Sequence, residues 1–165
     1  MSATQYEDLP DLICNLLQAD SWFATSGIGV FLDAAHFFPD ETSSNTVSDN
    51  AKAAYDSLLT NGLIISVESW AAGQLAQAGT SGFLVCIPRA FVIEIPNVNR
   101  GSTGLNLRPA VVCRKILAAL LGQPKTSPSQ QKFALPAAGS VFEPYSKVGS
   151  RYEYPVRLQI NTSIN

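Results

Sequence analysis

The chain has 165 residues, 46% of them hydrophobic and only 15% charged, with a formal net charge of −2. This length suits one domain with a substantial core and is short for two. The 11 Lys and Arg residues are scattered, which argues against a dedicated nucleic-acid binder. The low charge indicates that part of the surface is buried against other subunits.

Helical periodicity and short apolar runs alternate in the first half of the chain. Trp22 and Phe23 follow the first helical stretch and are expected to fold back onto the core. Ser48 is the expected cap of the next helix, and Gly62 is expected to end it. In chain order, we predict a helix over 9–19, a strand over 28–33, a helix over about 49–60 and a strand within GLIISVESW, residues 62–70.

The middle of the chain combines a stretch of small residues with a long apolar run. Residues 71–82 are small and flexible in composition, and they predict a linker. The run FLVCIPRAFVIEIP, residues 83–96, predicts a strand with a break or bulge at Pro88–Arg89, or a strand on a sheet edge. Apolar residues alternate with Val92 and Glu94 along its second half, which predicts one buried face.

The last third of the chain predicts a central helix, a long loop and a final strand. An apolar stripe predicts a helix from about Leu107 through Leu121, with Gly122 directly after it. Residues 123–150 are rich in Pro, Ser and Gly and predict an irregular loop that lies on something apolar. Residues 151–160 alternate clearly as a strand, with Pro155 at an edge or at an outward-facing N–H position.

Together these elements predict an α+β fold. We expect a mostly antiparallel sheet with two to three helices packed on it and long loops for assembly contacts. We expect a single domain over 1–165 that contains the long loop 123–150.

The loop over 97–106 lies between a strand and a helix, where many proteins hold a phosphate. Walker A loops place Lys and Ser/Thr directly after the last Gly, whereas Gly104 precedes Leu105 and Asn106. The dinucleotide fingerprint needs three glycines at fixed spacing, and this loop has only G-S-T-G. The loop therefore predicts no nucleotide site, although backbone N–H groups at a helix start can hold an anion.

No other pattern predicts a catalytic, metal or cofactor site. The single histidine, His36, stands in an aromatic setting without ligand-type neighbours. The odd number of cysteines, each in an apolar run, predicts small buried hydrophobes in a reducing compartment; they are Cys14, Cys86 and Cys113. The chain has no apolar run long enough for a membrane span, and its start lacks the regions of a secretion signal.

Two stretches resemble a known group of proteins. VIEIPNVNRGSTGLNLRPAVVCRKILAALLG combines a strand end, a Gly/Ser/Thr loop and an apolar helix, and LPDLICNLLQADSWF is an opening helix of similar style. They resemble tail terminator or tail-completion proteins at the head-proximal end of long-tailed bacteriophage tails. Those proteins differ in having Glu-Asn-Pro where this chain has Glu-Ile-Pro-Asn, and the Trp that often follows their helix is absent here. The matching residues are Glu94, Pro96, Asn97, Asn99, Arg100, Gly101, Gly104 and the helix through Leu121–Gly122.

The resemblance implies a structural virion protein without catalysis or cofactor. It implies a ring of identical subunits, typically a hexamer, that closes the tail tube at the tail–neck junction and is made in the host cytoplasm. Its partners would be the tail tube protein and neck or connector proteins, with genome DNA passing through the lumen without specific binding and with no membrane. The loops 71–82, 97–106 and 123–150 would be docking arms that order on assembly.

Alternative functions remain at this point. A head–tail connector or neck subunit fits the same resemblance. A small-ligand or nucleotide-binding enzyme that uses the loop 97–106 is an alternative of a different class.

Four residues at the strand end form the interface hypothesis: Glu94, Asn97, Asn99 and Arg100. The guanidinium of Arg100 can pair with a carboxylate across a subunit boundary, and Glu94 can pair with an Arg of a neighbour. The alternative is that Glu94 is an outward strand residue and Arg100 a solvated turn residue. The interface hypothesis predicts that Arg100→Ala weakens ring assembly while the monomer stays folded.

Overall fold

The structure is a computed structural model, and it describes residues 4–34, 49–78, 81–96, 107–128 and 131–164. Within these ranges a 3-10 turn, Tyr6–Asp8, precedes the helices α1 (Leu9–Ala19), α2 (Ser21–Ser26), α3 (Asp49–Asn61) and α4 (Pro109–Leu120). The strands are β1 (Gly29–Leu32), β2 (Leu63–Val67), β3 (Ala72–Ala78), β4 (Ser81–Ile87), β5 (Arg89–Glu94), β6 (Ser146–Val148), β7 (Arg151–Arg157) and β8 (Ile160–Ser163).

The strands form two sheets. The larger has the order β1-β2-β5-β7-β6, and the smaller has the order β3-β4-β8. β1 pairs with β2 in parallel, and the other pairs of the described strands are antiparallel. Helices pack on this mostly antiparallel framework, so the predicted α+β class is confirmed.

One long ribbon joins the two sheets. β4 continues into β5, and β7 continues into β8, with the same register from Phe83 opposite Ser163 to Glu94 opposite Tyr152. At the bend, the Leu158 N–H donates to the Pro88 carbonyl oxygen at 3.2 Å. Pro88 has no N–H to return that bond, so the ladder is weakest there. The predicted break at Pro88 is confirmed, and it occurs without an inserted bulge residue.

Both faces of the larger sheet are buried, whereas the alternation in β5 predicted one. Every residue of β2 is buried. On one face Ile65 and Val92 join a core with residues of α1 and α4, and on the other Ile64 and Ile93 pack with Leu58 of α3. The prediction of a single buried face was wrong because helices cover the sheet on both sides. Both sets of alternating residues are therefore buried.

The predicted flexible linker over 71–82 is also wrong. These residues form β3 and the start of β4, paired from Ala72 opposite Ile87 to Ala78 opposite Ser81. The sequence AGQLAQA has low intrinsic strand preference and no clear apolar alternation. Its conformation is fixed by pairing with the apolar strand β4, which a local reading of the sequence misses.

The stretch after α1 forms a second short helix. The Asp20 carboxylate accepts hydrogen bonds from the N–H groups of Trp22 and Phe23 at 2.9 and 3.2 Å, which caps α2. Phe23 is buried and Trp22 packs edge-on against it, which confirms that both fold back onto the core. Gly62 has a left-handed φ of 75° at the end of α3, as predicted. The predicted cap Ser48 and His36 lie outside the described residues.

The segment after α4 folds back along the ribbon. Gly122 has a left-handed φ of 77° and turns the chain, so Leu121 lies outside the buried stripe and is 45% exposed. The Gly122 N–H then donates to the carbonyl oxygen of Phe133, whose ring is buried. The predicted long loop thus does lie on an apolar surface, and it contains the short strand β6.

Candidate assembly surface

A tyrosine cluster surrounds Glu94, the predicted interface residue at the end of β5. The Tyr154 hydroxyl donates to Glu94 Oε2 at 3.0 Å, and Tyr152 lies directly opposite Glu94 in the ladder. The Tyr145 ring, 59% exposed, contacts the Tyr152 and Tyr154 rings with centroid distances of 5.7 and 5.4 Å. Lys147 Nζ lies 5.9 Å from the Tyr152 ring centroid. Tyrosine is enriched at protein–protein contact surfaces, and of these three rings that of Tyr145 is exposed while the other two are half-buried.

The other three predicted interface residues, Asn97, Asn99 and Arg100, lie outside the described residues. The last described residue before them is Pro96, two positions after Glu94. The intrachain bond from Tyr154 gives Glu94 a partner in the subunit itself, which the sequence did not suggest.

A chain of ion pairs fixes the long loop onto the ribbon. Arg89 forms two hydrogen bonds with the Glu68 carboxylate, at 3.0 and 3.2 Å, and its Nη1 lies 3.9 Å from Glu143 Oε2. Glu143 Oε1 is 3.0 Å from Arg157 Nε. Arg157 also donates to the carbonyl oxygen of Ser140 at 2.9 Å. The arm over 137–143 is therefore held by contacts within its own chain.

We call the contacts of Arg157 with Glu143 and Ser140 the Arg157 clamp. The close approach of the arm to Arg157 in this clamp requires a glycine at position 139. Its φ is 81°, and a Cβ at this position would overlap Arg157 Nη1. Only glycine combines that backbone conformation with so close an approach to a guanidinium.

The arm and the smaller sheet enclose a shallow groove of about 530 Å³. Its lining residues are mostly small or apolar, and the charged one among them, Arg157, is paired with Glu143. The lining is Ala72, Gly73, Gln74, Val85, Ile87, Ala137, Ala138, Arg157 and Gln159. Among these lining residues there is no acid–base pair and no nucleophile.

The outer edge of the β7–β8 side of the ribbon is covered. Residues along an antiparallel strand point their backbone groups alternately to one neighbour and to the other. The Leu158–Pro88 bond fixes that alternation, so the odd-numbered residues from 151 to 163 face away from β4 and β5.

These outward groups have partners from other parts of the chain. β6 pairs with the start of β7. The Pro155 oxygen accepts from Glu143 N–H at 3.4 Å, Arg157 N–H donates to Val141 oxygen, Gln159 exchanges two bonds with Ala134, and Ser163 N–H donates to Thr4 oxygen. The backbone nitrogen of Pro155, which carries no hydrogen, lies on this outer side of the ribbon. This confirms the outward-facing placement predicted for Pro155.

On the other side of the ribbon, β2 lies beside β5 and β3 lies beside β4. The outer edge of these two strands is covered along β2 and up to Ala71. β1 pairs with β2, and the Asp33 N–H donates to the Val67 oxygen at 2.8 Å. The Asp33 carboxylate accepts from Ser69 N–H at 2.7 Å. The Tyr6 hydroxyl accepts from the Ala71 N–H at 3.0 Å and donates to the Ala71 oxygen at 2.7 Å.

Beyond Ala71 this edge is open. By the same alternation, even-numbered residues of β3 bond to β4, and the N–H and C=O groups of Gly73, Leu75 and Gln77 face outward. No other described backbone segment pairs with them. Two large apolar side chains flank the opening: Trp70 is 77% exposed and Leu75 is 71% exposed.

The described cysteines are buried, and their thiols have raised pKa values. Burial raises the pKa of the Cys14 thiol to about 11 and that of Cys113 to about 12, and it also raises the pKa of Cys86. The three thiols are buried, as predicted, and stay neutral near pH 7. The described part of the chain holds no group of three metal-ligating side chains. It also has no helix long and apolar enough to cross a bilayer.

Sequence reasoning missed the residues that close the β2 edge. Asp33 lies 36 residues from Ser69, and Tyr6 lies 65 residues from Ala71. The one available signal was an Asp as the last residue of the strand predicted over 28–33, a residue type that tolerates the left-handed backbone seen here at φ 49°.

The fold and its surfaces define an α+β protein in which one bent ribbon belongs to two sheets. Among solved structures, the chain is similar to a chain in the structure described as "Virion of native gene transfer agent (GTA) particle". The TM-score is 0.54 and the sequence identity 15%, with 94% of each chain covered. At this identity the likeness shows a shared fold over nearly the whole length of both chains. No family model and no curated protein sequence matches the chain.

Proposed function

We propose that this protein is a non-enzymatic structural component of a phage-type virion, where it forms a ring at the head-proximal end of the tail. The observation that carries the proposal is the fold shared end to end with a chain of a gene transfer agent virion. The resemblance of residues 92–122 to tail terminator proteins supports this position within the particle.

The surface chemistry supports assembly. Only 15% of the residues are charged, and the β3 edge is an uncharged surface, whereas the tyrosine cluster presents aromatic rings around the single carboxylate of Glu94. A ring needs two different contact surfaces per subunit, and these two regions lie on separate sheets. A net charge of −2 suits a lumen through which DNA slides without adhering.

The mass of the purified chain, measured by light scattering behind a sizing column, tests this proposal. We expect a species of about six times 17.7 kDa that appears as a ring by electron microscopy. Arg100→Ala is expected to lower the mass without unfolding the chain, whereas the exposed Arg114→Ala on α4 is the matched control. Unchanged mass in Arg100→Ala contradicts its role at a subunit boundary.

Binding assays then separate the alternatives. Rings that cap isolated tails and block further tail-tube growth support the terminator role. Rings that bind only neck or connector proteins support the connector alternative. A monomer that binds a nucleotide through 97–106 contradicts the structural proposal.

A further inference from the structure

Strand β3 is an edge strand without the usual protection. Natural proteins protect exposed edges with charged residues, prolines, short strands or covering segments. β3 is seven residues long, and its sequence AGQLAQA contains neither a charge nor a proline. In contrast, the edge strand β6 has three residues, one of them Lys147.

Two stretches next to this opening or across the ribbon from it are covered by other parts of the chain. Asp33 and Tyr6 occupy the outward groups up to Ala71, and Thr4, Ala134, Val141 and Glu143 occupy those on the far side of the ribbon. The side chain of Tyr6 ends this cover directly before β3 begins. The opening therefore starts at a defined residue, as expected for a site that another strand completes.

We propose that β3 accepts an extended strand from a neighbouring copy of this chain, which becomes the fourth strand of the smaller sheet. The added strand hydrogen-bonds to the outward N–H and C=O groups of Gly73, Leu75 and Gln77. This inference rests on the proposed ring, because it assigns one of the two contact surfaces of each subunit.

The residues beside the open edge of β3 favour an uncharged strand that stays bound in a permanent interface. Side chains of the added strand alternate between its two faces, so one set covers Leu75. The other set lies beside Ala72 and Gln74, where the groove floor continues with Val85 and Ile87. Obligate interfaces between copies of one chain are more apolar than those with weak or transient partners. The uncharged strand β3, with Trp70 and Leu75 exposed beside the open edge, fits the obligate class better.

Substitutions at Leu75 test the proposal in the full-length chain. Leu75→Pro removes an outward N–H, and Leu75→Lys places a charge on the edge while keeping that N–H. We expect both variants to shift the mass from multimer to monomer while thermal unfolding stays cooperative. Leu59→Lys, at a 47% exposed position on α3, is the matched control and should assemble as the wild type does.

Hydrogen exchange provides the second measurement. In the wild-type multimer, the backbone amides of Gly73, Leu75 and Gln77 should be protected from exchange. The amides of Gly73 and Gln77 should exchange at least tenfold more slowly there than in the Leu75→Lys monomer, which is on the order expected for one stable hydrogen bond. This readout holds even if Leu75→Pro fails to fold.

The outcomes separate this inference from the ring proposal. A wild-type ring whose β3 amides exchange freely, and which persists in both Leu75 variants, overturns the inference and leaves the ring intact. A wild-type chain that forms no multimer overturns both. Protection of β3 that appears only when a different protein is added overturns the neighbouring copy as the occupant.

Discussion

The hydroxyl of Tyr6 both accepts a hydrogen bond from the Ala71 N–H, at 3.0 Å, and donates one to the Ala71 carbonyl oxygen, at 2.7 Å. One side-chain oxygen thus satisfies both backbone groups that a neighbouring strand would otherwise satisfy. Ala71 is itself 6% exposed, so these groups have little access to water. Tyr6 marks the boundary between the closed and the open part of the same sheet edge.

Removing that hydroxyl is expected to destabilise the fold. Tyr6→Phe leaves two poorly solvated groups at Ala71 unpaired, which should lower the free energy of unfolding by about 1 to 3 kcal/mol. Urea denaturation measures the difference. Tyr145→Phe makes the same chemical change at a 59% exposed ring and should cost much less. Equal losses in the two variants would show that Tyr6 does not act as a cap.

Two glycines in left-handed conformation allow the Arg157 clamp to be tested against a matched control. Gly122→Ala, at φ 77° with open space around the site, should cost only the backbone penalty of about 1 to 2 kcal/mol. Gly139→Ala at φ 81° should cost that and also about 1 kcal/mol or more, because Arg157 must move away from Glu143 and Ser140. Thermal denaturation of both variants gives the comparison.

Measuring Gly122→Ala and Gly139→Ala again in the Arg157→Ala variant isolates the contact between position 139 and the Arg157 guanidinium. If the clamp is the cause, the extra cost of Gly139→Ala disappears there, since no guanidinium remains to be displaced. An extra cost that persists in the double variant would assign the loss to the backbone of the arm.

Glu94 can be separated into its structural and assembly roles. In Glu94→Gln the amide oxygen still accepts from Tyr154, so the free energy of unfolding should change by less than about 0.5 kcal/mol. If a neighbouring Arg needs the carboxylate, the multimer mass should nevertheless fall. Light scattering checks this, with Glu7→Gln, an exposed acid near the chain start, as control. A variant that assembles normally would restrict the role of the Glu94 carboxylate to contacts within its own chain.

Stability at high pH should report the buried thiols. Burial raises the pKa of Cys113 from 9.0 to about 12, so above pH 9 the unfolded chain releases a proton that the folded chain keeps. The contribution is fully present below pH 9 and is lost as the pH rises towards 12, with a slope of about 1.4 kcal/mol per pH unit. Urea denaturation across this range should show a flatter decline for Cys113→Ala than for the wild type. Parallel curves would contradict a shielded thiol.

The elements that the sequence predicts well are those whose patterns are local. The stripe around Val112 and Ile116 specifies α4, and the alternation through Tyr154 and Val156 specifies β7, because each pattern repeats within its own element. α1 and α3 follow for the same reason. Even the break at Pro88 is local, since it depends on one missing N–H.

What the sequence misses depends on distant partners. β3 is a strand because β4 pairs with it, and the second buried face of β2 exists because α3 covers it. The closure of the β2 edge by Tyr6 joins positions 65 residues apart, for which no periodicity gives a signal. For the candidate site, the sequence indicated the end of β5 at Glu94, whereas the open edge of β3 became visible only from the pairing of the strands.

The register shared by the two halves of the ribbon has a consequence for synthesis. On one side, β4 and β5 pair with β8 and β7, which follow them in the chain by 58 residues (Glu94 to Tyr152) to 80 residues (Phe83 to Ser163) and are therefore synthesised much later. When the first 145 residues have been made, α1 to α4 are complete, yet neither sheet has its C-terminal strand. A nonsense mutation between α4 and β7 would therefore release a chain in which β4 and β5 each lack the neighbouring strand on one side, instead of a smaller stable protein.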